Sequence, residues 1–363
     1  MKDFIADATH RLGLPPYTTG EKSIGTYFAQ MPKELQMLLT ELASQRLRDR
    51  QAGAHRLSTF LPGLSDGLKI KLTSGMTIKD SYFHGNKWTG ITTDSMGPAI
   101  RDVLFDNFGI FGSWRWGSRF YRAAGVTARN MTISGVEEEH GWYVNISKTL
   151  DPSVPAIWWD KVLVENVGSQ CGQFVYRPHE TPDIVGDTDP NTGPLKFTEC
   201  VFRNFHLTSQ QMGSNGNTFQ IGGKRPAQTL QFKATPNDVE IVRCLWDNSA
   251  VPLSYGALTV LGRSTEKDKL KNDGSLIDID ATHRKLSLTG SQMFLAPSQQ
   301  KPIWCKDIDS VLIQDCHIET AGGKEPVIDI DSCKKVYISN CTGNVKVKID
   351  GRVVGPITQD FKK

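Results

Sequence analysis

One phrase recurs along this chain of 363 residues. It reads apolar, any, apolar, any, then most often Asp, Asn or Gly, then a small or apolar residue. Its plainest copies are "VLIQDC" (311–316) and "VYISNC" (336–341). With Cys341 as the anchor, earlier copies have anchors at Cys316, Ser291, Cys244, Cys200, Val167, Val136, Phe108 and Ser81. The residues five and three places before each anchor are apolar in every copy, from Met76 and Ile78 to Val336 and Ile338. Such alternation marks a strand with one buried face. The residue before the anchor is Asp, Asn or Gly in seven of the nine copies. Those types tolerate a left-handed backbone, so each strand is predicted to end in a tight bend. Arg243 and Glu199 are the two departures.

A second short strand usually comes next, as in "GQFVYR" (172–177), "NTFQIG" (217–222), "GALTVLG" (256–262), "PVIDID" (326–331) and "VKVKID" (345–350). Strand, bend, strand and loop, iterated, predict an all-β solenoid whose coils stack. The "V-x-I-x-N-C" phrases resemble those of the right-handed parallel β-helix proteins of the pectate-lyase-like superfamily, over about residues 68–350. The resemblance implies a single-stranded right-handed parallel β-helix of about nine coils. It does not imply one reaction, since the fold hosts lyases, hydrolases, epimerases, phage tailspikes and non-enzymes.

Strands stacked about 4.8 Å apart turn one position per coil into a ladder of like side chains. Cys200, Cys244, Cys316 and Cys341 are expected to pack in such a ladder as free thiols. The repeat occupies 66–350, leaving a segment at 1–65 and a tail at 351–363. In "PKELQMLLTELASQRLRDR" (32–50), Leu35, Leu38, Leu39 and Leu42 share one helical stripe. That helix is expected to cap the open end of the stack, with an attachment segment as the alternative.

The opening "MKDFIADATHRLG" has no apolar run of the signal-peptide kind, and no stretch approaches the length of a membrane span. The expectation is a chain that is cytoplasmic as synthesised, with neither membrane nor nucleic acid as partner; net charge is only +3. A virion spike released by lysis, and often homotrimeric, fits the same features.

Chemistry is most concentrated in "SGVEEEHGWYVNIS" (134–147). Aligned on the anchors, Glu138 falls where other copies carry Phe83, Ile110, Phe202 or Trp246. Three adjacent carboxylates repel, which raises the pKa of one toward that of a general acid. Glu138, Glu139 and His140 are therefore the catalytic candidates. Trp114, Trp116 and Trp142 supply flat faces on which sugars stack, and Arg115, Arg119 and Arg177 supply charge for an acidic glycan. The same alignment puts Ile110 and Ser169 beside Glu138, and Phe111 and Gln170 beside Glu139. A glycosidase needs a second carboxyl ~5–9.5 Å away, and neither pair provides one. Asp187, Asp189 and Asn191 alternate as in a calcium loop, making calcium the one cofactor candidate. The sequence thus points to a polysaccharide or oligosaccharide partner, with lyase or hydrolase activity as one outcome and a non-catalytic adhesive or spike component as the other.

Overall fold

In the computed structural model of the protein, the described residues are 66–70, 74–86, 88–93, 100–147, 149, 151–175, 193–205, 210–212, 219–221, 230–233, 238–251, 256–261, 284–297, 301–322 and 327–363. The chain divides into two units, Met1–Leu64 and Ser65–Lys363, and all the described residues belong to the second. The expected capping helix lies outside them.

The described residues form strands and contain no helix. Twenty-seven strands join one long, mostly parallel sheet, and Gln210–Met212 pairs with Phe219–Ile221 in a separate antiparallel ribbon. The parallel pairings run in three series. One links Asp66–Ile70, Thr89–Thr93, the start of Trp116–Arg129, Trp142–Ile146, Gly172–Val175, Leu230–Lys233, Leu258–Leu261, Ile303–Lys306, Val327–Asp331 and Lys346–Ile349. A second links the end of Trp116–Arg129, Ile157–Asp160, Leu195–Thr198, Val239–Val242, Lys285–Thr289, Ser310–Gln314 and Lys335–Ser339. A third runs through Thr132–Val136, Leu163–Val167, Val201–Phe205, Leu245–Asn248, Gln292–Leu295 and His317–Thr320.

The register corrects two anchors. Gly109 pairs with Thr132, and Thr132 with Leu163, so the column through Phe108 and Cys200 contains Met131 and Val162. Val136 and Val167 pair with each other five residues further on. The physical reason is a second left-handed bend: Gly135 and Asn166 have φ of 73° and 53°, just as Asn130 and Lys161 have 48° and 56°. "SGV" and "ENV" therefore imitate the phrase ending, and spacing alone does not separate the two bends.

With the register corrected, the nine residues before the column are Asp80, Asn107, Asn130, Lys161, Glu199, Arg243, Gly290, Asp315 and Asn340, and all nine have φ between 48° and 59°. The bend is a property of the column rather than of residue type. Lys161, Glu199 and Arg243 stand on consecutive levels without a side chain suited to this conformation. They stack in alternating charge, Lys161 Nζ 3.9 Å and Arg243 Nη2 2.7 Å from Glu199. These pairs are exposed and screened, so they contribute little. The strain of roughly 1–2 kcal/mol per residue is instead offset by the burial it permits. Val162, Cys200 and Cys244 are buried beside it, as are Trp159 and Phe197.

All seven cysteines are free and buried. Cys200, Cys244, Cys316 and Cys341 donate to backbone carbonyls at the bend, for example Cys316 Sγ to Gln314 O at 3.1 Å and Cys341 Sγ to Ser339 O at 3.2 Å. Burial pushes the Cys171, Cys200 and Cys305 thiols well up, which makes them inert packing groups.

Where each level enters the first series, a glycine ladder runs through Gly67, Gly90, Gly117 and Gly141. A Cβ on Gly90 would stand 2.5 Å from Gly117 O, one on Gly117 2.4 Å from Gly141 O, and one on Gly141 2.7 Å from Cys171 O. Close backbone approach allows no side chain here. One residue later Ser118, Trp142 and Gly172 are in register, so the large ring sits between two small neighbours. At the other end the tail folds back. Arg352–Pro356 pairs antiparallel with Lys346–Ile349, and Phe361–Lys362 with Lys335–Ser339, so antiparallel strands cover edges that parallel partners would otherwise take.

Candidate functional site

The glycine ladder fixes one corner of each level, and the side chains just before the glycines form the candidate site. Backbone hydrogen bonds set the order. Trp114 N donates to Asn86 O and Arg115 N to Trp88 O, both at 3.1 Å. Glu138 N donates to Trp114 O at 2.9 Å, Glu139 N to Arg115 O at 3.0 Å, and Ser169 N to Glu139 O at 3.2 Å. Trp88, Arg115 and Glu139 are therefore neighbours on successive levels. This corrects the expected neighbours: Ile110 lies beside Ile133 and Phe111 beside Ser134, while Glu138 stands over Trp114 and Glu139 between Arg115 and Ser169. The apolar column in which Glu138 looked anomalous is filled by Ile133 and Val164.

Cations and rings alternate along this corner. The Arg115 guanidinium lies 4.7 Å from the Trp88 ring centre and 4.0 Å from that of Trp116. Arg119 lies 4.2 Å from Trp116, 4.4 Å from Tyr121 and 5.8 Å from Tyr143. Trp88 packs on Trp114 at 5.2 Å and meets Trp116 edge-on at 5.8 Å. Two guanidiniums cover Trp116, which is buried, whereas Trp114 is 36% exposed and presents its ring to solvent. Along Trp116–Arg129, Ser118 and Phe120 are buried while Arg119 and Tyr121 lie half-buried on the opposite face. Strand alternation thus delivers the outward pair.

The three glutamates differ. Glu137 is exposed. Glu139 is held by Arg115, whose Nε lies 3.0 Å from Oε1, and His140 Nε2 lies 3.8 Å from Oε2. His140 also stacks on Tyr143 at 5.9 Å. Glu138 is 7% exposed, and its Oε2 has no hydrogen-bond partner among the described residues. Burial raises its pKa; Arg115 opposes this, and Glu139 and Glu137 add to it. The corner therefore holds one buried carboxyl whose pKa is raised and one carboxylate ion-paired with Arg115. Among the described residues the neighbours of Glu138 and Glu139 on adjacent levels are Trp114, Arg115 and Ser169, with no facing carboxyl.

Trp142 has no accessible surface. It stacks on Trp159 at 4.7 Å inside the core and has no face to offer a ligand. Trp158 pairs with Thr127 and Lys196 in the second series, away from the corner. Arg177 and the calcium candidates Asp187, Asp189 and Asn191 lie outside the described residues. Among the described residues no group of three or more His, Cys, Asp or Glu could hold a metal ion, and no helix is long and apolar enough to cross a membrane.

Three members of the corner escape a reading of the sequence by composition: Trp88, Tyr121 and Tyr143. The signal is present in the glycines. Aligning "WTG" (88–90), "RWG" (115–117) and "EHG" (139–141) on their last residue puts Trp88, Arg115 and Glu139 together. Comparison of the chain with protein-family models, with curated proteins and with solved structures finds no match.

Proposed function

We propose that the second unit is a right-handed parallel β-helix that binds a saccharide at the corner formed by Trp88, Trp114, Arg115, Trp116 and Glu138–His140. The observation that carries this reading is the exposed Trp114 ring at the end of a braced aromatic and arginine stack. Stacking of a sugar face needs a flat ring held still, and Trp88, pinned by Arg115, holds Trp114 from behind. Glu138 and Glu139 supply carboxyl oxygens for hydroxyls beside that ring. The three parallel series favour a coil that returns to the same face on each level.

Binding is favoured over cleavage. Neither Glu138 nor Glu139 faces a second carboxyl on an adjacent level among the described residues, and glycoside hydrolysis requires one. A non-catalytic glycan-binding spike or adhesin, homotrimeric if it is like other proteins of that kind, is the role this reading suggests. A panel of neutral and acidic polysaccharides tests it. Binding is monitored by calorimetry, with new reducing ends and unsaturated products assayed in parallel. The expected result is saturable binding of at least one polymer without either product. Binding with new reducing ends would replace the adhesin by a hydrolase, and absence of binding across the panel would reject the saccharide site.

A further inference from the structure

Arg119 stands apart from the other cation of the corner. Arg115 is ion-paired with Glu139. The Arg119 side chain is surrounded by Trp116, Tyr121 and Tyr143 and makes neither a hydrogen bond nor an ion pair among the described residues. Its Nε is buried with no acceptor among the described residues. A guanidinium carries five N–H donors, and ring faces answer only its charge. The residues in register with it on the outer face are neutral: Thr92 on one side, then Tyr143 and Gln173 on the other. Glu139 is already committed to Arg115 and lies beside His140. Rings therefore hold the Arg119 cation while leaving its Nε without an acceptor among the described residues, which is how a planar fork is prepared for an anion.

We infer that Arg119, held in the ring box of Trp116, Tyr121 and Tyr143, binds an anionic substituent of the saccharide, a carboxylate or a sulfate. This rests on the saccharide reading and narrows it: the ring of Trp114 takes a sugar face, and Arg119 selects for charge along the same chain of residues. Arg115 does not share that role, because Glu139 neutralises it. Selection comes from hydrogen-bond geometry as well as charge, so lysine, a point charge without the planar fork, is a poor substitute.

Two readouts on the full chain separate this inference from the reading beneath it. In the first, sulfate replaces chloride at constant ionic strength while tryptophan emission is recorded for the wild type, Arg119→Lys and Arg119→Gln. The wild type is expected to saturate, Arg119→Lys to need at least about ten-fold more sulfate, and Arg119→Gln to show no saturation. A wild type without saturation, or an Arg119→Gln curve matching it, overturns the inference. In the second, a carboxylated polysaccharide is compared with its carboxyl-reduced form, and a sulfated polymer with its desulfated form. The wild type is expected to prefer one charged form by about ten- to a hundred-fold, and both variants to lose most of that ratio. Whichever charged polymer shows the preference identifies the substituent. Equal binding of charged and neutral polymers by the wild type sinks Arg119 and leaves the saccharide site standing. Saturation by sulfate with no polymer bound keeps the anion site and removes the saccharide.

Discussion

Two bends of the same level behave in opposite ways. At the bend before the buried column, residue type hardly matters: Asp, Asn, Gly, Lys, Glu and Arg all adopt the left-handed conformation there. At the corner of the glycine ladder, residue type is everything. No side chain fits at Gly117, and the side chain two places before the glycine changes from level to level, from Trp88 to Arg115 to Glu139. The first bend is enforced by what is buried next to it, so its surface residue is free to drift. The second is enforced by close backbone approach, and its surface side chains are engaged with one another, with Glu139 and with solvent. Repetition marks the scaffold, and the departure from repetition marks the corner where we propose that a saccharide binds.

Substitutions that break this comparison differ in size. Trp142→Ala is expected to destabilise by about 3–5 kcal/mol, since it removes the ring between Ser118 and Gly172 that stacks on Trp159. Trp114→Ala is expected to change stability by no more than about 0.5 kcal/mol while weakening glycan binding strongly. Chemical denaturation of the two variants side by side checks the contrast, and equal losses of stability would merge core and surface. Next in size is Gly117→Ala, whose Cβ meets Gly141 O at 2.4 Å, with an expected cost of about 1–3 kcal/mol in the same assay.

Glu138 provides a pH test. Its folded pKa lies above the unfolded value, so the folded state holds the extra proton and stability falls as pH rises from 4.5 through the raised pKa. Glu138→Gln removes that dependence, and melting curves from acid to neutral pH should show the variant gaining on the wild type as pH rises. Parallel curves would mean that Glu138 titrates like an exposed carboxyl. Smallest of all, Arg243→Asn relieves the left-handed strain and loses an exposed ion pair to Glu199. Differential scanning calorimetry is expected to register no more than about 2 °C in either direction.

Much of the scaffold is legible in the sequence because the phrase reports burial and bend together. "VLIQDC" and "VYISNC" align in their true register, and Val311 pairs with Val336 as they require. The alignment slips at Val136 and Val167, where a second left-handed bend five residues on copies the phrase ending. That slip makes Glu138 look like a carboxyl in an apolar column and gives it the wrong neighbours. Composition is enough to find Trp114, Arg115, Trp116 and Arg119, but it also draws in Trp142, a core ring. It misses Trp88, Tyr121 and Tyr143 because their membership depends on neighbours one level away. Only the backbone register, or the glycines that encode it, brings those residues together.

Hydrogen exchange with and without the best-bound polymer tests the central claim most directly, because it needs no substitution and covers the whole chain. Slowed exchange is expected across 86–93, 113–121 and 137–143, with 310–341 unchanged. Protection centred on the thiol-rich levels at 310–341, with the corner unaffected, would contradict the assignment of binding to the place where the repeat departs from itself.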